Sequence, residues 1–229
     1  MEELGVAGMT PKIVVFDVNE TLSDLSALEQ AFVEIGAPSY SVQLWFASVL
    51  RDGFALTAAG SPKPFSKLAI GALGTVLADH PLNRELDAAT DHIMKRFLEL
   101  PVHPDVADGV RALAASHIRL ITLSNGSTQV AERLLTKAGI HDYFEHLLSV
   151  EDADGWKPAP AAYAYAANIC SVDPDDMVLV AVHPWDIDGA KRAGLQTAWL
   201  NRRGQNYPDY FLVPDYTVAN LPELAGLIR

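Results

Sequence analysis

The sequence predicts an α/β fold, in which a doubly wound parallel sheet forms a Rossmann-like core and a helical domain is inserted into it. An apolar run, Ile13–Phe16, indicates a fully buried strand and stops at a carboxylate, Asp17. After Leu22, helical periodicity continues for a long way without any strand pattern. Strands and helices then alternate after Pro101. We therefore predict a core of residues 1–23 and 101–229 and a helical cap of residues 24–100.

The inserted segment is predicted to form four helices, because apolar residues recur there at helical spacing. They cover residues 25–35, 42–56, 65–77 and 86–98. Further along, strands are predicted at 119–124, 146–150, 177–182 and 197–200, and helices at 106–115, 129–138, 159–169 and 187–193. The tail from Tyr207 has the pattern of a last strand and a short closing helix. The chain shows no low-complexity linker, so the cap is expected to pack on the core.

Composition excludes several classes of function. The net charge of −12, with no run of Lys or Arg, argues against binding to nucleic acid and to anionic membranes. The first ten residues lack the basic segment of a signal peptide, and no apolar run reaches the length of a membrane span, which predicts a cytoplasmic protein. A single cysteine, Cys170, excludes an internal disulfide, and we interpret it as a small core residue.

Polar residues follow the predicted strands at the edge where open α/β sheets bind ligands. Asp17 is the first candidate for chemistry, although an Asp that caps a turn is the alternative. The second strand ends in Ser124 and Asn125, and Gly126 leaves backbone amides open to an anion. An ordinary turn with a helix cap would explain the same three residues.

Two later segments carry groups that complement a carboxylate nucleophile. Lys157 precedes a helix that Pro158 opens and could hold a carboxylate ionised, whereas a surface lysine is the alternative. Tyr163 follows in that helix and could either hydrogen-bond in the site or pack. The next strand ends in a cluster of His183, Trp185 and Asp186. Four polar strand ends together indicate a common site.

The motifs DVNET, SNGS, WKPAPAAY and HPWD occur in this order, and with them the chain resembles the haloacid dehalogenase (HAD) superfamily, most closely its type II 2-haloacid dehalogenase branch. The resemblance extends from Lys12 to about Gly204. It implies that Asp17 attacks a saturated carbon and forms an ester that water hydrolyses, with no cofactor and no metal. It implies family positions for Thr21, Ser124, Asn125, Lys157, Tyr163 and Asp186. The first three would orient the nucleophile and bind the substrate carboxylate, Lys157 would pair with Asp17, and Asp186 would help to activate water.

Phosphatases of the HAD superfamily are an alternative, since magnesium-dependent phosphoryl transfer is its commonest chemistry. They typically carry an acidic residue two positions after the nucleophile, where this chain has Asn19, which cannot protonate a leaving group. A further Asp binds magnesium at the position of Val182, whose side chain cannot bind a metal. Both losses argue against the phosphatase.

The chain also departs from the dehalogenase pattern. Phe46 stands where those enzymes carry the arginine that attracts the leaving halide, and Arg51 is nearby but turned to another side of the helix. Asn19 and Glu20 replace the usual Tyr and Gly. Two further replacements lie in the fourth motif, where Ala181 replaces a serine and His183 an asparagine.

Because of these changes, the leaving group can be either a halide or an amine. A halide leaves as a stable anion, whereas an amine leaves poorly unless it is protonated. L-azetidine-2-carboxylate hydrolase, a relative of the dehalogenases, also uses a nucleophilic aspartate and breaks a C–N bond of a strained ring. This chain could be an enzyme of that kind. Asn19 and His183 would then handle the amine, whereas a structural role is the alternative for His183.

The remaining candidate residues complete the predicted pocket. The apolar walls are expected to be Trp45, Phe46, Leu50 and Phe54, with Trp185 as a further wall rather than a cation-binding face. Arg51 is retained as a substrate-binding candidate in place of the missing arginine. Glu20 is expected to point to solvent or cap a helix, and Asp188 to support the dipole of the helix that it begins.

The sequence thus predicts a metal-independent hydrolase acting on a small 2-substituted carboxylic acid through an Asp17 ester. Dehalogenation is the leading reaction and C–N ring opening the closest alternative. A non-catalytic protein that binds small carboxylates is a further alternative. It would explain the lost arginine, but not why Asp17, Lys157 and Asp186 occur together. The family resemblance and the apolar cap suggest a homodimer.

Overall fold

A computed structural model of the protein describes residues 11–228. The strands of this part form one parallel sheet in the order β3-β2-β1-β4-β5-β6. They are β1 (Ile13–Phe16), β2 (Arg119–Ser124), β3 (Phe144–Ser149), β4 (Met177–Ala181), β5 (Gln196–Leu200) and β6 (Tyr216–Val218). The doubly wound α/β prediction is therefore confirmed. The interpretation of the first ten residues as lacking a signal peptide lies outside the described residues.

Helices cover both faces of this sheet and fill the insertion after β1. They are α1 (Glu29–Glu34), α2 (Ser41–Ala58), α3 (Phe65–Leu77), α4 (Leu86–Phe97), α5 (Val106–Ala115), α6 (Thr128–Lys137), α7 (Pro160–Cys170), α8 (Pro184–Arg192) and α9 (Leu221–Leu227). Between residues 11 and 228, none of the helices has the length and apolar composition that crossing a membrane requires. Cys170 is buried and free, as its interpretation as a core residue predicted.

The boundaries of several predicted elements differ from the structure. The predicted helix at 25–35 is split into a 3₁₀ turn, Leu25–Leu28, and α1, because the Asp24 side chain accepts the Ser26 N–H and caps the turn. Strand β3 begins two residues earlier than predicted. Helix α8 begins at Pro184, since proline fits the first position of a helix.

The earlier start of α8 makes the expectation for Asp188 wrong. Asp188 lies inside the helix rather than at its beginning. Its carboxylate accepts a hydrogen bond from Nε of Arg192 at 2.8 Å and one from the backbone N–H of Leu212 at 2.9 Å. Asp188 therefore fastens the loop before β6 to α8.

Strand β1 positions the site because it lies at the point where the strand order reverses. It pairs with β2 on one side and with β4 on the other, and all four of its residues are buried. The register sets Phe16 opposite Thr122 and Val180. The residues after β1, β2 and β4 consequently meet at one crevice, where α/β folds bind ligands.

Trp156, the residue before Lys157, contacts the inserted segment. Its backbone N–H donates to Oγ1 of Thr57, and its indole Nε1 donates to the carbonyl oxygen of Lys63. Its ring stacks with that of Phe65 at 6.1 Å. A side chain at Gly53 of α2 would overlap this ring, so only glycine permits the close approach.

Candidate active site

Asp17 lies at the carboxyl end of β1 with only 4% of its surface exposed. Its Oδ1 accepts a hydrogen bond from Nζ of Lys157 at 2.9 Å, and its Oδ2 accepts one from Oγ1 of Thr21 at 2.6 Å. Oδ2 also lies 3.2 Å from Nδ1 of His183. Burial alone would raise the pKa of Asp17, but the charges of Lys157 and His183 hold it well below its usual range. Asp17 is therefore ionised, as a carboxylate nucleophile must be.

Thr21 joins the ends of two neighbouring strands. Its hydroxyl donates to Asp17 and accepts the backbone N–H of Val182 at 3.1 Å. Because Val182 follows β4, this pair of hydrogen bonds fixes the Asp17 side chain relative to the fourth motif. Thr21 is fully buried and has no exposed surface for a substrate.

Lys157 links Asp17 to Asp186. Its ammonium donates to Oδ2 of Asp186 at 2.6 Å as well as to Asp17. Burial by itself would lower the pKa of Lys157, but the charges of the two carboxylates raise it. Burial also raises the pKa of Asp186, and the charge of Asp17 adds to this effect. One ammonium thus neutralises one of two buried carboxylates.

Tyr163 contacts Asp186. Its hydroxyl donates to Oδ1 of Asp186 at 2.7 Å, and the residue is fully buried. Burial and the charge of Asp186 raise the pKa of this hydroxyl well above its usual value, so it stays a donor. The predicted substrate contact of Tyr163 stays a prediction, and the one proton of its hydroxyl is donated to Asp186.

His183 connects Asp17 to Glu20. It lies between β4 and α8, with Nε2 2.9 Å from Oε2 of Glu20 and Nδ1 3.2 Å from Oδ2 of Asp17. Burial alone would lower the pKa of His183, but its hydrogen bonds to the two carboxylates raise it to about 10. At neutral pH the ring is therefore an imidazolium that donates a hydrogen bond from each nitrogen.

Aromatic rings surround this imidazolium. The ring of Trp185 stacks with that of His183 at 5.0 Å and meets the ring of Phe54 edge-on at 4.9 Å. The ring centroids of Phe46 and His183 lie 6.3 Å apart. The role of Trp185 as a pocket wall stays a prediction, and its indole also stacks on the His183 ring, where it would stabilise a positive charge. Phe54 supports Trp185.

The side-chain amide of Asn125 forms hydrogen bonds with the backbone of Lys157. Its Oδ1 accepts the backbone N–H of Lys157 at 2.9 Å, and its Nδ2 donates to the carbonyl oxygen of Lys157 at 3.2 Å. The expected role of Asn125 in binding a substrate carboxylate stays a prediction, since one N–H of its amide remains as a donor.

Some of the groups that were predicted to bind an anion after β2 are already hydrogen-bonded to other groups of the protein. The N–H of Gly126 donates to Oγ of Ser124 at 2.8 Å, and the Gly126 carbonyl accepts from Ser149. A Cβ atom at Gly126 would lie 3.2 Å from Oγ of Ser124 and 3.4 Å from Nδ2 of Asn19. The absence of a side chain at Gly126 therefore lets Ser124 and Asn19 converge beside the crevice.

Asn19 carries a buried acceptor that is not satisfied. The residue is 5% exposed, and its Oδ1 has no hydrogen-bond partner among the described residues. Leaving a buried polar atom unpaired costs about 1–3 kcal/mol, so such an atom at a strand end calls for an external donor.

A cavity of 290 Å³ opens beside His183. Its lining includes Glu20, Val42, Phe46, His183, Arg202 and Arg203. The lining does not include Asp17, which His183 contacts at 3.2 Å. His183 thus has one side toward the cavity and one nitrogen on Asp17. Phe46 is a wall of this cavity, as expected.

Three other residues expected at the pocket lie elsewhere. Arg51 is exposed and pairs with its neighbour Asp52, since α2 turns it away from the crevice; its prediction as a substrate-binding residue is wrong. Trp45 is wrong as a pocket wall, because it is packed inside the inserted helices and donates to the carbonyl oxygen of Ala69. Leu50 is partly buried against the core and is absent from the lining of the 290 Å³ cavity.

Sequence reasoning missed the groups that hold Glu20. Glu20 was expected to face solvent or cap a helix, but its carboxylate contacts His183. The backbone carbonyl of Glu20 accepts a hydrogen bond from Nε2 of His103 at 3.0 Å. His103 belongs to none of the four motifs and lies 83 positions away, so no local signal indicates this contact.

Comparisons with known proteins show which family the chain resembles. Residues 11–194 match the haloacid dehalogenase-like hydrolase family. Haloacetate dehalogenase H-2 of Moraxella sp. (strain B) is 29% identical over 94% of this chain and 96% of its own length. The (S)-2-haloacid dehalogenase of Pseudomonas sp. (strain YL) is 33% identical over 65% of this chain and 64% of its own length.

A solved structure adds a bound state. It is the L-2-haloacid dehalogenase of Xanthobacter autotrophicus with chloropropionic acid covalently bound. It is 25% identical to this chain, covers 96% of it and 98% of itself, and superposes with a TM-score of 0.87. With its sheet, its strand-end carboxylates and its buried lysine, the chain belongs to the haloacid dehalogenase-like hydrolase family.

Proposed function

We propose that this protein is a metal-independent hydrolase, in which Asp17 attacks a saturated carbon of a small 2-substituted carboxylic acid. The observation that carries the proposal is the buried, ionised Asp17 carboxylate between Lys157 and Thr21. A halide is the first leaving group to test, because the similar proteins are named as dehalogenases of haloacetate and (S)-2-haloacids. The covalently bound chloropropionic acid in the similar structure supports an ester intermediate.

In the first step, a carboxylate oxygen of Asp17 forms a bond to C2 of the substrate, and the bond to the leaving group breaks. The leaving group takes the bonding electron pair. We propose that Ser124 and the backbone around Gly126 receive the substrate carboxylate, since the Ser124 hydroxyl keeps its proton to donate. The imidazolium of His183 lies where it can stabilise a departing halide in place of the missing arginine.

In the second step, water cleaves the ester and restores Asp17. Once Asp17 is esterified, Lys157 and Asp186 remain as an ionised pair beside the ester carbonyl. The ammonium can donate to the developing oxyanion, and Asp186 can accept a proton from the attacking water. Since both Asp186 oxygens accept protein donors here, we propose that Asp186 also fixes the position of Lys157.

Hydrolysis of a C–N bond is the second candidate function, and Asn19 favours it. Its unpaired Oδ1 is an acceptor, which suits an N–H of the substrate and cannot bind a halide ion. In this reaction the proton on Nδ1 of His183 would move to the departing nitrogen. A strained cyclic amino acid such as L-azetidine-2-carboxylate fits this chemistry.

Phosphoryl transfer has little support in the arrangement of these groups. Asn19 provides no acid, and the side chain of Val182 provides no oxygen for a metal. The ammonium of Lys157, rather than a metal ion, bridges the carboxylates of Asp17 and Asp186. We therefore expect activity to survive treatment with a chelator.

We further propose that residues 24–100 act as a cap over this site and that the protein is a cytoplasmic homodimer. Exposed apolar side chains on the inserted helices, including Leu44 and Ile70, support an association of two copies. Sedimentation velocity tests the dimer, and a monomer at all concentrations would contradict it.

One assay tests the function. Chelator-treated enzyme is incubated with each enantiomer of 2-chloropropionate, with fluoroacetate and with L-azetidine-2-carboxylate, and both halide ions and hydroxy amino acids are measured. Halide release supports dehalogenation, and ring-opened product without halide supports C–N hydrolysis. Thermal stabilisation by the carboxylates without any product would favour a binding protein. Phosphate release from phosphate esters only with magnesium would contradict the proposal.

A further inference from the structure

The backbone of Glu20 adopts a conformation that few residues other than glycine adopt. Its φ is +63°, in the left-handed region, which costs an L-residue with a side chain roughly 1–2 kcal/mol. Two side chains hold it there. Oγ of Ser23 accepts its N–H at 3.3 Å, and Nε2 of His103 donates to its carbonyl oxygen at 3.0 Å. A strained backbone persists where the surroundings determine it, and such positions cluster at functional sites.

This conformation directs the Glu20 carboxylate to His183. Oε2 of Glu20 lies 2.9 Å from Nε2 of His183, while Nδ1 of the same ring lies 3.2 Å from Asp17. The Glu20 side chain is 37% exposed and lines the cavity, whereas the His183 side chain is 12% exposed. The imidazole therefore lies between a buried carboxylate and one that reaches the cavity.

The groups around His183 leave Glu20 as its second charged partner. The ring neighbours from α2 and α8, Phe46 and Trp185, are uncharged. Lys157 bonds to the opposite oxygen of Asp17 and does not bond to the imidazole. During ester formation Asp17 loses its negative charge, so Glu20 is then the one carboxylate still bonded to His183.

We propose that Glu20 is a positioning residue, which keeps His183 doubly protonated through its contact with Nε2, so that the N–H of Nδ1 serves the leaving group once the ring rotates away from Asp17. This inference rests on the proposed function and deepens it. With a halide, the C–X electron pair leaves with the halide, and His183 donates a hydrogen bond without transferring its proton. With nitrogen, the proton of Nδ1 moves to the departing nitrogen, and neutral His183 keeps its Nε2 proton on Glu20 until solvent in the cavity returns a proton.

The test is the titration of His183, which requires no substrate. Enzyme labelled with ¹³C and ¹⁵N at its seven histidines is titrated by NMR, and His183→Gln identifies the resonance of His183. In Glu20→Gln the pKa of His183 is expected to fall by about one pH unit or more, since a charged partner becomes neutral. Glu29→Gln is the matched control, because Glu29 lines the same cavity and has no contact with His183. The control should leave the titration unchanged.

An unchanged His183 titration in Glu20→Gln would overturn the inference, even in an active enzyme. Should Glu20→Gln fail to fold, Glu20→Asp replaces it, since the shorter carboxylate keeps its charge but loses the 2.9 Å contact. A pKa of His183 that is lower in Glu20→Asp than in wild type supports the inference, and an unchanged pKa contradicts it. Failure of the proposed function would instead show as lack of product from wild-type enzyme, with the titration still shifted by Glu20→Gln.

Kinetics give a readout that a structural role would not move. For the substrate that wild type turns over, the alkaline limb of kcat should lie at lower pH in Glu20→Gln than in wild type, whereas KM should change little. A uniform loss of kcat at all pH values would contradict a role in keeping His183 protonated.

Discussion

Nδ1 of His183 and Oδ2 of Asp17 lie 3.2 Å apart, so that the imidazolium contacts the proposed nucleophile directly. The 290 Å³ cavity reaches His183 and Glu20 but does not include Asp17. A substrate that enters through the cavity therefore meets the imidazolium before the carboxylate. Rotation of His183 away from Asp17 would open Oδ2 to C2 of the substrate.

Replacement of Asp17 by Asn should abolish turnover, since an amide is not a nucleophile at this site. We expect kcat to fall by about 10⁴-fold or more while the fold is kept, because Lys157 still pairs with Asp186 and His183 with Glu20. The measurement is product formation combined with circular dichroism. Activity retained in a sequence-verified variant would contradict the ester mechanism.

Multiple turnovers in ¹⁸O-labelled water should place label in the peptide that contains Asp17. Hydrolysis of the ester adds a water oxygen to the Asp17 carboxylate, so mass spectrometry of that peptide reports the intermediate. A single-turnover reaction is the control for the position of the label. If the peptide stays unlabelled after many turnovers, water attacks the substrate directly.

Substitution of Lys157 by Met should destabilise the protein as well as inactivate it. It leaves the buried carboxylates of Asp17 and Asp186 without their shared cation, and breaking a buried ion pair typically costs about 3–5 kcal/mol. Urea denaturation measures the loss. Arg111→Met is the control, because Arg111 and its partner Asp108 are both exposed at the surface. Equal losses in both variants would show that burial of the pair does not matter.

The raised pKa of His183 should make stability fall in alkaline solution. The folded-state pKa of about 10 exceeds the usual value of about 6.5, so the folded protein holds an extra proton between these values. The stabilisation is complete below about pH 6.5 and is lost as pH rises toward 10. Urea denaturation of wild type and of His183→Gln at pH 6.5 and 9.5 should therefore show a difference in free energy of unfolding that shrinks with pH. A constant difference would contradict the charged imidazolium.

Replacing Tyr163 by Phe should slow the second step more than the first. It removes the hydrogen bond to Oδ1 of Asp186 while leaving the contact between Lys157 and Asp17 in place. We expect the ester on Asp17 to accumulate, with kcat lowered by about 10–100-fold. Mass spectrometry of quenched enzyme measures the ester fraction. An equal ester fraction in wild type and variant would place Tyr163 outside the hydrolysis step.

The sequence predicted the parts of the site that depend on local order along the chain. Asp17 follows a buried strand, and Lys157 precedes a proline that opens a helix, so position in the chain sufficed to bring them near one crevice. The protein partners of Asn125 and Tyr163 were not predicted, because these side-chain hydrogen bonds join groups 32 and 23 positions apart in the sequence. Glu20 was missed because nothing in the sequence shows that a glutamate has a φ of +63°.

Trp156 stands directly before Lys157 and is fastened to the inserted helices through Thr57, Lys63 and Phe65. An outward movement of those helices would pull the Lys157 ammonium away from Asp17 and break its ion pairs with Asp17 and Asp186. The resting enzyme is therefore expected to stay shut and to exchange small molecules by local breathing of side chains around the cavity. Turnover should accordingly be insensitive to solvent viscosity, and only substrates small enough to slip past one rotating ring should reach the nucleophile.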